Sequence, residues 1–277
     1  MLCRARQFDF VFPRPALVMG IVNVTPDSFS DGGKYLRTRA AVAHALALVK
    51  DGAEILDIGG ESTRPGAAPV SETKELRRVL PVIEHLAGRL KLPLSIDTTK
   101  PAVARAALDA GAAIINDVAA NRRGPEMWKM AAEFRAGYIC MHSPPGLHQK
   151  RRRKDIILEV EHFFQNRWKK MLAAGISPEQ IVFDPGIGFG KTASQNLELL
   201  AALSRFLKFK RPLLLGVSRK SFIEKIIGAR LNERLPASLA CAILGVVSGA
   251  QIIRAHDVAE TVQAIRMAEA VRESAKE

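Results

Sequence analysis

The chain has little cysteine, few aromatic residues and no long apolar segment, and these shortages exclude several classes of protein. Its 277 residues include three cysteines, Cys3, Cys140 and Cys241, an odd number at wide spacing. This spacing forms neither a disulfide framework nor a metal-binding motif, and it fits a reducing cytoplasm. The longest apolar stretch, 237–250, is too short to span a membrane. Charged and proline residues interrupt the N-terminal segment, so no signal peptide is predicted and we expect a cytoplasmic protein.

Acidic residues are also scarce relative to basic ones, since 28 Asp and Glu stand against 41 Lys and Arg, a net charge of +13. Basic runs occur at 150–154 and 208–211. They are interpreted first as solvated loops, because charge reports on solubility and steering more than on fold. Nucleic-acid binding and attraction of a small polyanionic substrate are the alternatives. Nucleic-acid binding is not supported, because the sequence shows no recognisable binding module and no pattern of aromatic residues through the basic runs. We therefore expect no nucleic-acid partner.

One local unit occurs four times: a helical stretch ends at glycine and passes directly into a short apolar strand tipped with a polar residue. Glycine permits the left-handed backbone that closes a helix. An apolar strand of this kind is typical of a parallel sheet, which is buried on both faces. The polar tip then points beyond the carboxyl edge of the sheet, where parallel sheets bind ligands. The four units are residues 52–57, 111–116, 137–142 and 249–254.

Eight predicted strands alternate with helical patterns along the whole chain. The strands are 17–23, 54–58, 93–97, 113–116, 138–142, 181–184, 212–217 and 251–254, and the helices include 72–90, 101–110, 156–174 and 258–274. This alternation predicts an α/β protein, a single (β/α)8 TIM barrel over residues 1–277 with its active site at the C-terminal ends of the strands. A doubly wound open sheet is the structural alternative. Residues 1–15 lie outside the repeat, and we expect them to cover the bottom of the barrel.

Polar side chains occur at or just after nearly every predicted strand end. The long strand-to-helix loops start at the same end, and long loops within a compact domain are usually functional. Helix capping is an equally good interpretation of Asp57 or Asp117 taken alone. A polar group on nearly every strand, all directed at one mouth, nevertheless indicates a binding site. The set is Asn23, Asp57, Asp97, Asn116, Asp117, His142, Asp184, Ser218, Lys220, Arg254 and His256.

Three segments at the ends of the last predicted strands indicate what this site binds. Residues 215–221 place serine, arginine and lysine at a helix start, where backbone N–H groups and cations form an anion site. Residues 254–256 add an arginine and a histidine at the adjacent strand end. The loop 184–191 is rich in glycine but lacks the Walker spacing, so its glycines favour close approach to a flat ligand.

The residue types of the site favour two kinds of ligand group. The carboxylates and amide of Asp97, Asn116 and Asp184 suit a nitrogen-rich heterocycle with several donors. The cations suit a phosphorylated leaving group, and they comprise Arg64, Lys220, Arg254 and His256. The sequence shows no Ser-His-Asp order or Cys-His pairing for acyl transfer, and no cluster of His and Cys for a metal.

With these segments assembled, the chain resembles the dihydropteroate synthase family over roughly residues 17–272. The matching segments are 20–33, 57–66, 95–100, 116–117, 184–191, 218–220 and 254–256, of which the first two are long and highly specific. The resemblance implies a (β/α)8 barrel that condenses 6-hydroxymethyl-7,8-dihydropterin diphosphate with 4-aminobenzoate. The products are diphosphate and 7,8-dihydropteroate, an intermediate of folate biosynthesis. The resemblance also implies an enzyme of the kind that sulfonamides target. Mg2+ is the implied cofactor.

The resemblance also implies a role for each matching residue. Asp97, Asn116, Asp184, Lys220 and Arg254 would hold the pterin. Asn23, Arg64, Arg254 and His256 would hold the diphosphate, with Asn23 also at the Mg2+. Thr63, Phe189 and Ser221 would flank the aminobenzoate, and Met141 joins the substrate-binding set. The expected catalytic residues are Asn23, Asp97, Asp184, Lys220, Arg254 and His256.

Two segments depart from the family pattern, and one related activity competes. The loop after Met141 and His142 differs from the usual family sequence, as do residues 118–123, but neither change removes an expected ligand. A pterin-dependent corrinoid methyltransferase would share the pterin carboxylates and amide. It would have no use for a diphosphate site, so residues 218–220 argue against it.

A non-catalytic nucleic-acid-binding protein is the alternative of a different class.

The segment 237–247 is apolar on almost every face, so a single barrel leaves part of it without a partner. Its small residues would let a second helix approach closely. The resemblance also implies a homodimer formed by late helices, and we therefore expect a dimer that includes this segment. Complete burial within one chain is the alternative.

Overall fold

The computed structural model describes residues 1–25, 34–62, 67–120, 124–144 and 155–275. An N-terminal hairpin, β1 and β2, precedes eight strands of one parallel sheet, β3 to β10. The strands are β1 (Leu2–Ala5), β2 (Phe8–Val11), β3 (Leu17–Asn23), β4 (Ile55–Gly59), β5 (Leu94–Asp97), β6 (Ile114–Asp117), β7 (Gly137–Met141), β8 (Ile181–Asp184), β9 (Leu214–Gly216) and β10 (Ile252–Ala255). All eight predicted strands are present, with ends shifted by two residues at most.

Helices follow the strands of the parallel sheet. They are α1 (Lys34–Lys50), α2 (Glu72–Ala87), α3 (Pro101–Asp109), α4 (Glu126–Glu133), α5 (Ile156–Ala173), α6 (Ala193–Ala201), α7 (Ser221–Ile227), α8 (Leu235–Val247) and α9 (Val258–Ser274). Capping explains several starts. Pro101 occupies the first turn of α3, where its missing N–H costs nothing, and the Asp155 carboxylate accepts from the N–H groups of Ile157 and Leu158. Within the described ranges, no helix is long and apolar enough to cross a membrane.

The eight parallel strands close into a barrel. Their order is β8-β7-β6-β5-β4-β3-β10-β9. The first and last strands of that order meet through a parallel bridge between Phe183 and Leu213, supported by a 2.9 Å hydrogen bond from the Phe183 N–H to the Pro212 carbonyl. The fold is therefore the predicted (β/α)8 TIM barrel, and the open doubly wound sheet is excluded.

Three of the four repeated units have the predicted glycine geometry, and the fourth does not. Gly52, Gly111 and Gly249 have φ values of 101°, 110° and 100°, as expected for residues that close a helix. Before β7 it is Arg135 that takes the left-handed conformation, at φ 51°. Gly137 is instead the first residue of β7, where a Cβ atom would come within 3.1 Å of the Ala5 side chain. The prediction for Gly137 was therefore wrong, because this glycine makes room for the N-terminal hairpin.

The N-terminal hairpin covers the bottom of the barrel, as predicted. Cys3, Ala5 and Phe12 join an apolar cluster with the inward-facing residues at the lower ends of the strands, such as Met19 and Ile55. Basic side chains attach the hairpin to the barrel. The Arg211 guanidinium donates to the Leu2 carbonyl at 2.6 Å, and that of Arg6 donates to the carbonyls of Leu108 and Ala112 at 2.8 and 2.9 Å.

The apolar cover predicts how much the hairpin stabilises the protein. Replacing Phe12 by Ala removes a buried ring from the lower cluster, so we expect the free energy of unfolding to fall by about 3 kcal/mol or more. Val11→Ala is the matched control, because Val11 is 66% exposed, and it should change stability by less than about 0.5 kcal/mol. Urea denaturation followed by circular dichroism measures both. Equal midpoints for the two variants would contradict a packed hairpin.

Candidate active site

Side chains alternate between the two faces of each strand, and this alternation gathers polar residues in one layer of the barrel interior. That layer lies above the apolar cluster at the bottom of the barrel. Ile55, Ile114, Val182 and Ile252 face the lower interior. The residue two positions further along each strand faces the same interior one layer higher. In β4, β6, β8 and β10 those residues are Asp57, Asn116, Asp184 and Arg254. The register of the sheet places Asp97 opposite both Gly59 and Asn116, which brings its carboxylate into the same upper layer.

Arg254 is the centre of this layer. Its Nε donates to Asp57 Oδ2 at 2.6 Å, and its Nη2 donates to Asp97 Oδ2 at 2.9 Å. Asn116 Nδ2 donates to the same Asp57 oxygen at 2.9 Å. Asp57, Asp97 and Asn116 are all buried. One guanidinium thus holds two carboxylates from neighbouring strands in a fixed arrangement, with the Asn116 amide oriented by the first of them.

Several acceptors of the upper layer have no hydrogen-bond partner among the residues that the structure describes. Asp57 Oδ1, Asp97 Oδ1 and Ser95 Oγ are buried and unpaired. A buried polar atom without a partner costs about 1–3 kcal/mol, so native proteins rarely keep one without a reason. Three such atoms at the mouth of one barrel form a set of acceptors suited to the N–H groups of a polar ligand.

Burial sets the protonation of this cluster. It raises the pKa of Asp97 to about 7, against the attraction of Arg254 and with some further repulsion from Asp57. Burial also raises the pKa of Asp184, which the Gly186 N–H and neighbouring cations partly offset. Burial and the neighbouring Arg254 lower the pKa of Lys220 to about 8. The site therefore contains ionisable groups that titrate near neutral pH, as active sites often do.

The loop after β8 brings an aromatic ring to the mouth, beside Lys220, which follows β9. Asp184 Oδ1 accepts from the Gly186 N–H at 2.7 Å, which fixes the start of the glycine-rich loop. Phe189 follows in that loop, and Lys220 Nζ lies 4.0 Å from the centre of its ring. This is a close cation–π contact. The ring and the ammonium form one wall beside the carboxylates.

A second group of polar residues lies where β9 and β10 end. Ser218 Oγ is 3.0 Å from His256 Nδ1 and also accepts the His256 backbone N–H at 3.2 Å. A bidentate ion pair between Arg219 and Asp257 links the same two loops. Ser221 is the first residue of α7. The structure therefore brings the predicted anion-binding residues of the two loops together at one edge of the mouth.

Three further sets of predicted site residues differ in where they lie. Asn23 ends β3 at the mouth, half-buried, and Met141 ends β7, buried. Thr63 and Arg64 lie outside the described residues, so the structure does not test their placement. Asp117 faces the other side of the sheet, where it accepts the Tyr138 hydroxyl at 2.7 Å and the Ala119 N–H at 2.9 Å. It is a structural residue.

Asn23 is compatible with a bound magnesium ion. None of the described residues donates to or accepts from its side-chain amide, whose oxygen is a ligand of the kind that Mg2+ takes. The described residues contain no group of three or more His, Cys, Asp or Glu that could hold a metal by themselves. Mg2+ usually keeps several waters and is bound through one or two carboxylates together with substrate phosphates, so the Asn23 amide oxygen would act beside waters and substrate phosphates.

Two interior residues of the site were given no ligand role from the sequence. Asp57 had two equal interpretations, and the parity with Ile55 is the signal that could have decided between them. Ser95 lies two residues before Asp97 on the same strand and faces the same interior. Because it precedes the strand tip, a search confined to tips overlooks it.

Comparison with known proteins agrees with this geometry. A sequence profile of the family described as pterin binding enzymes matches residues 19–256. The chain therefore belongs to the pterin-binding enzyme family.

Particular relatives define its place within that family. The dihydropteroate synthase of Escherichia coli K12 is 47% identical over 263 residues, covering 94% of this chain and 93% of the relative. The Xanthomonas albilineans dihydropteroate synthase with 4-aminobenzoic acid superposes with a TM-score of 0.91 at 44% identity, covering 98% of each chain. The Yersinia pestis dihydropteroate synthase in a sulfonamide drug complex superposes with a TM-score of 0.91 at 43% sequence identity. The superposition covers 99% of this chain and 100% of the Yersinia chain. The chain thus falls among the dihydropteroate synthases, which are transferases.

The charge arrangement predicts the titration of Asp97. In the ligand-free protein its carboxyl should titrate near pH 7, because burial disfavours the ionised form. Asp57→Asn should lower that pKa by removing a like charge, whereas Arg254→Met should raise it by removing the stabilising cation. Carbon-13 NMR of the aspartate carboxyl groups measures all three, with Asp97→Asn to assign the signal. A wild-type Asp97 that titrates near pH 4 would contradict this account.

Proposed function

We propose that this barrel forms 7,8-dihydropteroate from 6-hydroxymethyl-7,8-dihydropterin diphosphate and 4-aminobenzoate, with release of diphosphate. The observation that carries the proposal is the buried cluster of Asp57, Asp97, Asn116 and Arg254, whose unpaired acceptors lie beside cations at one barrel mouth. Family membership supports the same reaction. The relatives at 42–47% identity are dihydropteroate synthases, which gives no support to a corrinoid methyltransferase.

The carboxylate cluster suits the pterin. Asp97, Asn116 and Asp184 would accept from the ring and amino N–H groups, and Lys220 and Arg254 would donate to its acceptors. Asp57 would act as a positioning residue, because its Oδ2 already holds both Asn116 and Arg254. Buried recognition of this kind is selective, since a ligand without the matching groups leaves charges unpaired.

The cations suit the leaving group. As the bond from the pterin methylene carbon to oxygen breaks, the electron pair leaves with diphosphate and positive charge spreads into the ring. Asp97 and Asp184 would stabilise that positive charge, while Arg64, Arg254 and His256 would stabilise the departing anion. The amine nitrogen of 4-aminobenzoate forms the new carbon–nitrogen bond and loses a proton. Each residue acts by charge and position, and the route requires no covalent enzyme intermediate.

Mg2+ would contribute at the same edge. Asn23 would hold the ion together with diphosphate oxygens, and a bound Mg2+ supplies further neutralisation of the leaving group. Thr63, Phe189 and Ser221 would flank the aminobenzoate, and Met141 would contact the substrates. The Xanthomonas structure named for 4-aminobenzoic acid and the Yersinia structure named for a sulfonamide drug support an aminobenzoate pocket that sulfonamides can enter.

The proposal also includes a cytoplasmic homodimer that acts on small molecules and has no nucleic-acid partner. The described helices include none suited to a membrane span. Apolar side chains on two adjacent helices support a dimer. Leu244 and Val247 of α8 are 61% and 51% exposed, and Met267 and Val271 of α9 are 68% and 59% exposed. Large apolar side chains exposed together on adjacent helices are typical of a surface that another protein covers.

The reaction itself is tested by measuring diphosphate release with both substrates present. Asp184→Asn keeps the size of the side chain but removes its charge, so pterin affinity should fall at least about tenfold, a loss of about 1–3 kcal/mol. Asp109→Asn, on the exposed side of α3, is the matched control and should bind normally. Calorimetric titration with the pterin diphosphate measures both. Unchanged affinity in Asp184→Asn would limit Asp184 to fixing the turn at Gly186.

The metal role of Asn23 has a separate signature. Asn23→Ala should lower kcat by about tenfold or more, because the lost contact matters most as charge develops on diphosphate. It should also raise the Mg2+ concentration needed for half-maximal activity. Binding of a pterin that lacks the diphosphate should stay within about threefold of the wild type. A variant with wild-type kcat and magnesium dependence would remove Asn23 from the mechanism.

The dimer is tested at its apolar surface. Leu244→Glu places a charge on the exposed face of α8 and should convert a dimer to a monomer, since burying an unpaired charge is costly. Leu197→Glu on α6, at a position that is 46% exposed, is the control and should leave the mass unchanged. Light scattering at micromolar concentration gives the masses. A wild-type protein that is monomeric under these conditions refutes the dimer.

A further inference from the structure

The ammonium group of Lys191 lies beneath the glycine-rich loop, and the reaction described above assigns it no part. Its Nζ donates to the backbone carbonyls of Gly186 at 2.7 Å, His142 at 3.1 Å and Phe189 at 3.2 Å. A protonated amine carries three protons, one for each of these carbonyls. Burial lowers the pKa of Lys191 to about 7, and the nearby Asp184 carboxylate opposes that change. The three hydrogen bonds also favour the charged ammonium.

The backbone of the loop is shaped around this ammonium. Gly186, Gly188 and Gly190 have φ values of 69°, 82° and 60°, the left-handed region that side chains disfavour. A Cβ atom at Gly186 would lie 1.9 Å from the His142 carbonyl oxygen, and one at Gly188 would lie 2.9 Å from the Lys220 side chain. This backbone directs the carbonyls of Gly186 and Phe189 toward the Lys191 ammonium, which binds both.

The loop held in this way carries the ring beside the site. Lys191 binds the Phe189 carbonyl directly, and the Phe189 N–H donates to the Gly186 carbonyl at 3.1 Å. Both ends of this tight turn therefore meet the same ammonium. The Phe189 ring in turn lies over Lys220 Nζ. The His142 carbonyl ties the turn to the end of β7, which is part of the barrel wall.

We propose that Lys191 is a positioning residue that fixes Phe189 as a wall of the aminobenzoate pocket and thereby sets the affinity for 4-aminobenzoate. The inference rests on the proposed function, because the pocket it concerns is the one assigned to that substrate. Lys191 acts through the turn, since its three protons are already bound to carbonyl groups. The pterin contacts of Asp97 and Asn116 do not pass through this turn. Asp184 meets the turn at the Gly186 N–H and not at Lys191, so the effect should fall mainly on 4-aminobenzoate.

The test compares Lys191→Met with Lys129→Met, an exposed lysine on α4 that serves as the control. Diphosphate release is measured while each substrate is varied. Lys191→Met should raise the KM for 4-aminobenzoate about tenfold, with kcat and calorimetric affinity for the pterin diphosphate within about threefold of the wild type. A merely structural role would instead reduce the folded fraction and the apparent kcat without changing that KM. Circular dichroism gives the folded fraction.

A double-mutant cycle with Phe189→Ala shows whether Lys191 acts through the ring. In the Phe189→Ala background, Lys191→Met should change the KM for 4-aminobenzoate by less than about twofold. Lys191→Gln, which keeps a donor, should give an intermediate KM and replaces Lys191→Met if that variant does not fold. A wild-type KM in the folded variant, or a tenfold effect that persists without Phe189, overturns the inference. A wild-type protein that releases no diphosphate overturns the proposed function instead.

Discussion

The site depends on the buried guanidinium of Arg254, which lies between the carboxylates of Asp57 and Asp97. Two carboxylates this close in a water-poor interior repel each other, and burial raises the pKa of Asp97. The planar guanidinium offers donors in fixed directions and bonds to both, which a lysine could not do with the same geometry. Removal of one partner from a buried pair commonly costs about 3–5 kcal/mol. Arg254 bonds to only one oxygen of each carboxylate, so Asp57 Oδ1 and Asp97 Oδ1 can accept from a ligand.

The barrel provides the setting for this interaction by separating its two ends chemically. The lower interior is apolar and covered by the N-terminal hairpin, so no ligand or water is needed there. The upper interior is polar, and every loop that begins there can contribute to the same mouth. The mouth contains the cations Lys220 and Arg254, in a chain whose net charge is +13. Cations at this end would attract an anionic substrate such as a diphosphate, and attraction of a small polyanionic substrate by the net charge stays a prediction.

The differences between prediction and structure have physical causes. Gly137 fitted the pattern of a helix-closing glycine, yet Arg135 takes that conformation and Gly137 accommodates Ala5 of the hairpin. Local pattern cannot reveal this, because the contact joins residues far apart in the chain. Asp117 and Asn116 are adjacent at one strand tip, but they face opposite sides of the sheet. Only Asn116 reaches the interior, since successive side chains of a strand alternate.

The sequence by itself determined the eight strands, the barrel, the covered bottom and the residues at the mouth, because these follow from periodicity, glycine punctuation and long motifs. Its residue types indicated a nitrogen-rich heterocycle and a phosphorylated leaving group, and its resemblance to the dihydropteroate synthase family implied the reaction. Only the tertiary structure decided which of those residues touch. The pairing of Arg254 with Asp57 and Asp97 spans 197 and 157 residues, and the three carbonyls around Lys191 converge from two loops. Such contacts are set by closure of the barrel, which brings strand ends together regardless of their distance along the chain.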